Sequence, residues 1–329
     1  MARNAVNIVT QIGVETVKGT AVAAGKLLPS LAVSFKPKLG TKFYRSNGYK
    51  LANTGLLNRN STEGSYEGPL TYSEIVYPLS GWIGCTTGPT QIGTTGAYTW
   101  IFKPASKGAD AQAKSFTVQR GDAAAAQQVA YTQFTSFGYE LTREECRMSG
   151  GLIAQRINNA ATLTASPTEV EKRPVSANDL DVWLDATFAG IGTTKLTDVY
   201  KVSFEGPDKF GEKWVLNSAN PAWSEATEIA YDPKLVVEAE YNAQMRALYD
   251  ALIADVLPVR YVRIKAVGEN LGTSADETFQ HDLAVKLEAA EELSDLEGVY
   301  GYRFAFRVVD DATFGGSHTL TVVNKIAAL

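Results

Sequence analysis

Alternating apolar and polar residues predict that this chain consists mainly of β-strands. Residues 31–36 place Leu31, Val33 and Phe35 on one face by the period of two that a strand requires. Similar patterns predict strands over residues 99–103, 115–120, 130–141, 151–157, 181–188, 279–288, 299–309 and 317–326. Two pairs of these strands, 130–141 with 151–157 and 279–288 with 299–309, are joined by polar turns, which indicates two β-hairpins.

Two apolar stripes with helical spacing predict one helix in each half of the chain. Their members are Ile75, Leu79, Trp82 and Ile83, then Met245, Tyr249, Leu252 and Ile253. A capping box from Thr71 to Glu74 starts the first helix. Pro78 predicts that this helix is short or kinked, because an interior proline costs about 3 kcal/mol. Asn242 caps the second helix, which is predicted to reach residue 256.

A short sequence repeat indicates two related halves. KLLPSLAVSF at residues 26–35 and KLTDVYKVSF at residues 195–204 share Lys-Leu and Val-Ser-Phe around a spacer of five residues. A predicted helix and then a predicted hairpin follow each copy, so duplication of a domain is the simplest interpretation. We therefore predict a mainly β (α+β) fold with an extended arm (1–25), a first domain (26–157), a linker with one strand (158–194) and a second domain (195–329).

Two segments are predicted to contact other molecules. The arm has little to bury on its own, and its β-branched run favours packing on a neighbouring subunit over disorder. Residues 42–60 are polar and rich in turn formers, which predicts a long loop. The inter-subunit candidates from both segments are Val6, Ile8, Val9, Ile12, Tyr44 and Tyr49. The two tyrosines have an alternative interpretation as stacking platforms.

Composition narrows the class of protein. With 329 residues, 45% hydrophobic and 20% charged, the chain can bury a large core. A net charge of -5 without a basic run gives no sign of a nucleic-acid or membrane surface. The sequence has no recognisable secretion signal, so synthesis in a cytosol is expected. There Cys85 and Cys146 are expected to be unpaired thiols rather than a disulfide.

No catalytic signature occurs in the sequence. It contains no P-loop, dinucleotide fingerprint, nucleophile elbow or H-E-x-x-H motif. Its two histidines, His281 and His318, have no Cys or His partner at ligand spacing. One acidic cluster has two interpretations, a solvated turn or a metal site, and the first is favoured because the spacing of a calcium loop is missing: Glu288, Glu291, Glu292, Asp295 and Glu297. We predict no enzyme, cofactor or metal, with a carboxylate-based β-rich hydrolase as a rival.

Several segments resemble the tail tube proteins of long-tailed bacteriophages. One is a Q-x-G-x-E-T-x-x-G-T-A-V segment formed by Gln11, Gly13, Glu15, Thr16, Gly19, Thr20, Ala21 and Val22. The others are Ser-Phe-Lys-Pro at residues 34–37, EGSYEGPLTYSEIVYPLSG at residues 63–81 and SFTVQRGD at residues 115–122. The long hairpin and the DVWLD segment that follow are also similar to this family, so the resemblance covers most of the chain.

The resemblance implies two tandem tube domains, each a β-sandwich or barrel with one flanking helix. In this family six such domains close a ring around a β-barrel, and stacked rings form a tube that conducts the genome. A duplicated chain would then form a homotrimer with a pseudo-hexameric ring, whereas a decorated single domain would form a hexamer. The implied partners are the tape-measure, tail terminator and distal tail proteins, with transient passage of double-stranded DNA and no membrane. The implied location is the virion tail, after assembly in the host cytoplasm.

The tube interpretation also gives candidates for the channel lining. They come from the polar faces of the two predicted hairpins: Glu140, Gln155, Asp282, Lys286, Arg303 and Arg307. A one-residue change of register would move them to the other face. The alternative function is a tandem β-domain surface or adhesion module.

Overall fold

The computed structural model describes residues 5–108, 113–216, 222–254, 257–272, 275–296 and 298–329. In this part of the chain, strands far outnumber helices, with 21 strands and two α-helices. The prediction of a mainly β fold is therefore confirmed.

The elements of the first half are mostly strands. They are β1 (Val9–Val14), β2 (Lys26–Leu28), β3 (Ala32–Tyr44), β4 (Thr54–Pro69), α1 (Val76–Trp82), β5 (Thr87–Gln91), β6 (Tyr98–Phe102), β7 (Phe116–Gly121), β8 (Ala126–Phe134), β9 (Phe137–Thr142), β10 (Cys146–Ala154), β11 (Asn158–Ala161) and β12 (Thr168–Glu169).

The second half has the same character. Its elements are β13 (Leu180–Asp185), β14 (Val199–Gly206), β15 (Phe210–Lys213), β16 (Glu225–Glu228), β17 (Lys234–Glu240), α2 (Ala243–Ile253), β18 (Arg260–Gly272), β19 (Ala275–Leu296), β20 (Val299–Val308) and β21 (His318–Asn324). Short 3-10 turns lie at Ala5–Asn7, Ala177–Asp179 and Phe188–Gly190.

One antiparallel sheet of eight strands runs through both halves. Its order is β3-β4-β10-β9-β14-β17-β20-β19. We call the first four strands the first unit and the last four the second unit. In each unit the second strand leads into an α-helix, and the last two strands in the order form a hairpin. The two units therefore share one strand order and the position of the helix, whereas the strands inserted between these elements differ.

A second layer packs against the inner side of this sheet. Behind the first unit it consists of β12, β2, β1, β7, β8 and β11. Behind the second unit it consists of β13, β18, the first part of β19, β21, β6 and β5. Because β21 pairs with β6, this layer also joins the two halves, and one hydrophobic core extends through both.

The segment expected to be a linker belongs to this second layer. Within residues 158–194, β11 pairs with β8, β12 with β2 and β13 with β18. The predicted DVWLD strand is present as β13. A linker that separates two domains is thus wrong for these residues, because each of their strands satisfies its backbone groups in a neighbouring sheet.

Helix α1 is short, as predicted, but Pro78 does not interrupt its interior. Every residue of Val76–Trp82 is buried, and Pro78 lies in the first turn, where the backbone N–H has no partner within the helix. The Glu74 N–H donates to Thr71 Oγ1 at 3.0 Å, as in half of a capping box, but the helix begins only at Val76, so the predicted start at Thr71 is wrong. The Glu74 carboxylate instead accepts from the Ser30 N–H at 2.9 Å, which ties α1 to the segment before β3.

Helix α2 begins at its predicted cap. Asn242 Oδ1 accepts from the N–H groups of Gln244 and Met245, both at 3.0 Å. Met245 is buried in the core, but Ile253 is 65% exposed, so its assignment to the buried stripe is wrong. The end of the apolar stripe is exposed because α2 lies on the flank of the molecule, whereas every residue of α1 is buried.

The N-terminal segment is an internal strand, which corrects the prediction of an arm. Strand β1 lies between β2 and β7, and Ile12 is 1% exposed within the chain's own core. Glu15 holds the segment that follows. Its buried carboxylate accepts hydrogen bonds from four groups: the N–H of Gly19 (2.8 Å) and of Tyr131 (2.7 Å), and the hydroxyls of Ser115 (2.7 Å) and Thr117 (3.0 Å).

Replacing Glu15 should therefore destabilise the whole subunit. Glu15→Ala leaves two backbone N–H groups and two hydroxyls without their acceptor in the core, which should lower the free energy of unfolding by about 3 kcal/mol. Urea denaturation measures this loss. Glu144→Ala is the matched control, because Glu144 is exposed in the β9–β10 turn and its loss should change stability by less than about 0.5 kcal/mol. Equal stabilities of the two variants would contradict the role of Glu15.

Residues 42–60 form a two-stranded ribbon instead of the predicted loop. Strands β3 and β4 pair continuously from Ala32 opposite Glu67 to Tyr44 opposite Thr54, with one bulge near Gly40. We call residues 38–60 the ribbon. Nearly all of it is exposed on both faces, so its sequence lacks the alternation that marks a half-buried strand. Its exposed apolar side chains are Leu39, Phe43, Tyr44, Tyr49, Leu51, Leu56 and Leu57.

Two other boundaries differ from prediction. The turn expected over residues 289–298 is mostly strand, because β19 continues to Leu296 opposite Val299. Its run of carboxylates carried no apolar alternation, so sequence alone indicated a turn. The strand predicted over residues 130–141 is two strands, and β8 crosses into the second layer while β9 stays in the eight-stranded sheet.

Candidate functional site

The outer side of the eight-stranded sheet is mostly polar. We call it the open face. Residues such as Val33, Tyr66, Phe204 and Phe304 point to the core, and the alternate residues of the same strands point outward. Most of its residues are small, hydroxylated or charged, with a few apolar side chains such as Ile153 and Val236. The polar members include Ser34, Lys36, Glu63, Ser65, Glu67, Glu140, Arg147, Ser149, Lys201, Ser203, Lys234, Glu238, Lys286, Glu291, Arg303 and Arg307.

Most cations of the open face have a carboxylate beside them. The nitrogen–oxygen distances are 2.8 Å for Lys201–Glu140 and Arg307–Glu288, 3.5 Å for Lys36–Glu63, 3.6 Å for Arg303–Glu238, 3.7 Å for Lys234–Glu288 and for Arg303–Glu291, and 3.9 Å for Arg147–Glu67. Such exposed pairs add little to stability, about 0–1 kcal/mol each. Their main effect is to cancel positive charge locally across the surface.

The two units meet in a continuous strand pairing, which we call the seam. Strand β9 pairs with β14 from Phe137 opposite Gly206 to Thr142 opposite Lys201. On the core side the rings of Tyr139 and Phe204 stack with centroids 5.5 Å apart. A Cβ atom at Gly206 would overlap the Trp82 indole, so the seam is packed as closely as the interior of a sheet.

Both ends of the eight-stranded sheet are open edges. Among the described residues, β3 pairs only with β4, and residues 286–296 of β19 pair only with β20. An open edge presents unpaired N–H and C=O groups that readily pair with another chain. The β3 edge carries Lys36, Lys38 and Lys42, whereas the β19 edge carries Glu288, Glu291 and Glu292.

The structure brings together four of the six predicted channel residues. Glu140, Lys286, Arg303 and Arg307 all lie on the open face, where Lys286 is opposite Arg307. Asp282 does not join them. It forms a two-fold hydrogen-bonded ion pair with Arg263, at 2.7 and 2.8 Å, in the part of β19 that has entered the second layer.

Gln155 is the other misplaced channel candidate. It follows β10 and its backbone N–H donates to Ala130 O, while its side chain donates to Trp223 O at 3.4 Å. It therefore lies toward the second layer. The predicted strand 151–157 included Gln155, but β10 ends at Ala154, so this residue lies beyond the part of the strand that stays in the sheet.

The inter-subunit candidates divide by exposure. Tyr44 and Tyr49 are 48% and 61% exposed at the end of the ribbon, and Val6 is 85% exposed, so all three are available for contact. Ile8 and Val9 are half-buried at the start of β1. Ile12 is a core residue of its own chain, so its assignment to an interface is wrong.

A pair of buried histidines lies behind the seam. The Tyr139 hydroxyl and His281 Nδ1 are 2.8 Å apart, and the rings of His281 and His318 have centroids 5.3 Å apart. Burial, followed by the neighbouring His318, lowers the pKa of His281 well below its ordinary value. Burial, followed by the charge of Lys209, lowers the pKa of His318 to about 3. Both rings are therefore neutral at physiological pH.

The described residues do not assemble a metal centre. No group of three or more His, Cys, Asp or Glu side chains among them could hold an ion, and Glu297 of the acidic cluster lies outside the described part. Within this cluster, Glu288 and Glu291 are instead paired with Arg307 and Arg303. Cys85 and Cys146 are both free thiols.

Comparison with known protein families finds no matching family model, and comparison with curated proteins finds no match. In the described part of the chain, neither α-helix has the length and apolar character needed to cross a membrane. The open face, the seam and the two open edges are the features of this structure that bear on its function.

Proposed function

We propose that this protein is a structural subunit of a bacteriophage tail tube, a ring-forming protein whose stacked rings conduct the genome. The observation that carries the proposal is the eight-stranded sheet, which has two open edges of opposite charge and a polar outer face. A sheet of this kind is completed when copies join side by side, because closure of a barrel removes every edge. The sequence resemblance to tail tube proteins supports the same function.

The open face suits the wall of a DNA channel. A protein that neutralises several phosphates with lysine or arginine holds DNA firmly, and a conduit must release it. Ion pairs such as Lys201–Glu140 and Arg307–Glu288 offset the cations of the face, and serines lie between them. A charge-balanced, hydroxylated wall lets double-stranded DNA pass without being retained.

The ribbon supplies contacts between stacked rings. An isolated two-stranded hairpin is only marginally stable in water, and this one exposes Phe43 and Leu57 on the continuation of its core-facing side. Docking on a second ring would bury those side chains. Tyr44 and Tyr49 near the turn are placed for the same contact.

Two units in each chain favour a homotrimer for a ring of six units, with a hexamer as the alternative. The further partners proposed with this function are the tape-measure, tail terminator and distal tail proteins. The proposed location is the virion, and the proposed activity is mechanical, with no catalytic site, cofactor or membrane.

Electron microscopy of the purified protein tests the proposal. We expect rings or tubes with a central channel, and averaged end views should count the units. Phe43→Ser with Leu57→Ser in one chain should shorten tubes to single rings, whereas Thr41→Ser in the same ribbon should leave tubes unchanged. Protein that stays monomeric at high concentration would contradict the proposal and favour a surface or adhesion module.

A further inference from the structure

The seam inside the chain shows how the last strand of one unit pairs with the first strand of another. Along one row of the first unit, directly opposed residues run Ala32, Glu67, Ser149, Gly138, and the row then crosses the seam to Glu205. The sequence repeat matches Ala32 to Lys201, since each directly precedes Val-Ser-Phe. The row starts at Ala32, whose equivalent in the second unit is Lys201, but it enters that unit at Glu205. The stagger across one unit is therefore four residues.

The second unit contains the matching row. It runs Lys201, Glu238, Arg303 and Glu291, and it ends at the open edge of β19. A sheet that closes into a barrel needs a regular stagger from strand to strand. We apply the same stagger of four residues to the second unit. Its row then passes from Glu291 to the residue four positions after Ala32 in the next chain, which is Lys36.

Charge agrees with this register. The row of the second unit alternates Lys, Glu, Arg, Glu, and Lys36 continues the alternation. The side chains of Lys36 and Glu291 are 78% and 66% exposed in the single chain, so both are accessible to a partner. Opposite charges that face each other across strands are favourable, by about 0.2–1 kcal/mol in sheets generally.

We infer that the β19 edge of one copy pairs antiparallel with the β3 edge of the next copy, with Glu291 directly opposite Lys36. The partner is a second copy of this chain, and the contact is head-to-tail. This inference rests on the proposed function, to which it adds the edges, the direction and the register. It also requires that each ring contain as many β19–β3 contacts between chains as β9–β14 seams within chains.

Engineered cysteines test the register. Directly opposed residues have Cβ atoms about 4.5–5.5 Å apart, close to disulfide range, whereas a shift of four residues adds about 13 Å. Lys36→Cys with Glu291→Cys in one chain should, on mild oxidation or with a short bis-maleimide, move most of the monomer into covalent multimers on non-reducing gels. The matched control, Ala32→Cys with Glu291→Cys, represents a seam without stagger and should remain largely monomeric.

Mixing the single variants tests the direction. Lys36→Cys and Glu291→Cys proteins should cross-link only when mixed, and then to dimers, because a head-to-tail contact never brings two copies of one position together. Cross-linking of either single variant alone, or a stronger reaction of the Ala32 pair, would overturn the inference. Rings in micrographs with no cross-link at the Lys36 pair would also overturn it while leaving the proposed function intact. Absence of rings from the native protein would overturn the proposed function itself.

Discussion

Acidification from pH 7 to about pH 5 should lower the contribution of two histidines to folding stability by about 4 kcal/mol. His281 and His318 have lowered pKa values in the folded protein and ordinary values near 6.5 when unfolded. The unfolded chain therefore binds protons below pH 6.5 that the folded chain does not. The stability is fully present above the unfolded pKa and is lost as pH falls from 6.5 toward the folded pKa, about 3 for His318.

The environment explains why the folded protein does not accept these protons. His281 meets Tyr139 and the ring of Phe204, and His318 stacks on Trp82. The charge that lowers the pKa of His318 belongs to Lys209, which is itself buried and paired with Glu228 at 3.0 Å. A new positive charge would find no free carboxylate among these contacts, so protonation must disrupt the packing behind the seam.

The pKa shift of Glu74 affects the pH dependence of folding stability with the opposite sign, so its contribution must be distinguished from that of the histidines. Its burial raises its pKa to about 7, so the folded state gains a proton there as pH falls, and this adds stability between pH 7 and the ordinary range of a carboxyl. The net pH dependence of the native protein is therefore smaller than the histidine contribution alone.

The variant His318→Phe isolates one histidine. It should reduce the loss of unfolding free energy between pH 7 and about pH 5 by about 2 kcal/mol relative to the native protein. Urea denaturation at the two pH values measures this difference. Phe279→Leu is the control, because it changes the same core without a titratable group and should destabilise equally at both pH values. An unchanged pH dependence in His318→Phe would contradict the prediction.

Removing carboxylates from the open face should turn it into a DNA-binding surface. A variant with Glu63, Glu140, Glu238 and Glu288 all changed to Gln removes carboxylates that now pair with Lys36, Lys201, Lys234, Arg303 and Arg307. We expect its affinity for a short DNA duplex to exceed that of the native protein about a hundredfold at about 50 mM salt, and to fall steeply as salt rises.

The control variant carries the same change of net charge on other surfaces. It has Glu171→Gln, Glu225→Gln, Glu269→Gln and Asp250→Asn, whose partners lie outside the open face. Fluorescence anisotropy over a salt series compares the two. Equal affinities would show that net charge alone sets DNA binding, and would contradict the assignment of the open face to the channel wall.

The sequence predicted those parts of the fold where one face of an element is buried and the other is wet. Strand β13, strand β21 and the β9–β10 hairpin follow from alternation, and the cap at Asn242 follows from local hydrogen-bonding chemistry. A short first helix was expected from Pro78, and α1 has 7 residues, although the proline lies in its first turn and not in its interior.

The ribbon and the end of β19 could not be predicted in this way. Both faces of the ribbon are exposed, so its sequence shows no alternation. The last residues of β19 include the consecutive carboxylates Glu291 and Glu292, where alternation would need one apolar residue. The N-terminal segment was wrongly predicted to be an extended arm for another reason. Its β-branched residues do form a strand, but that strand pairs with β7, about a hundred residues further along the chain.

The sequence by itself determined the class of the fold, the positions of both helices, the repeat and four of the six residues placed on the open face, because each depends on periodicity or on neighbouring residues. Only the tertiary structure decided which strands meet. Pairing of β9 with β14 and of β21 with β6, and the bend that takes Asp282 out of the open face, depend on contacts between distant segments. Backbone hydrogen bonds are the same for every residue type, so a sequence can mark a strand without naming its partner.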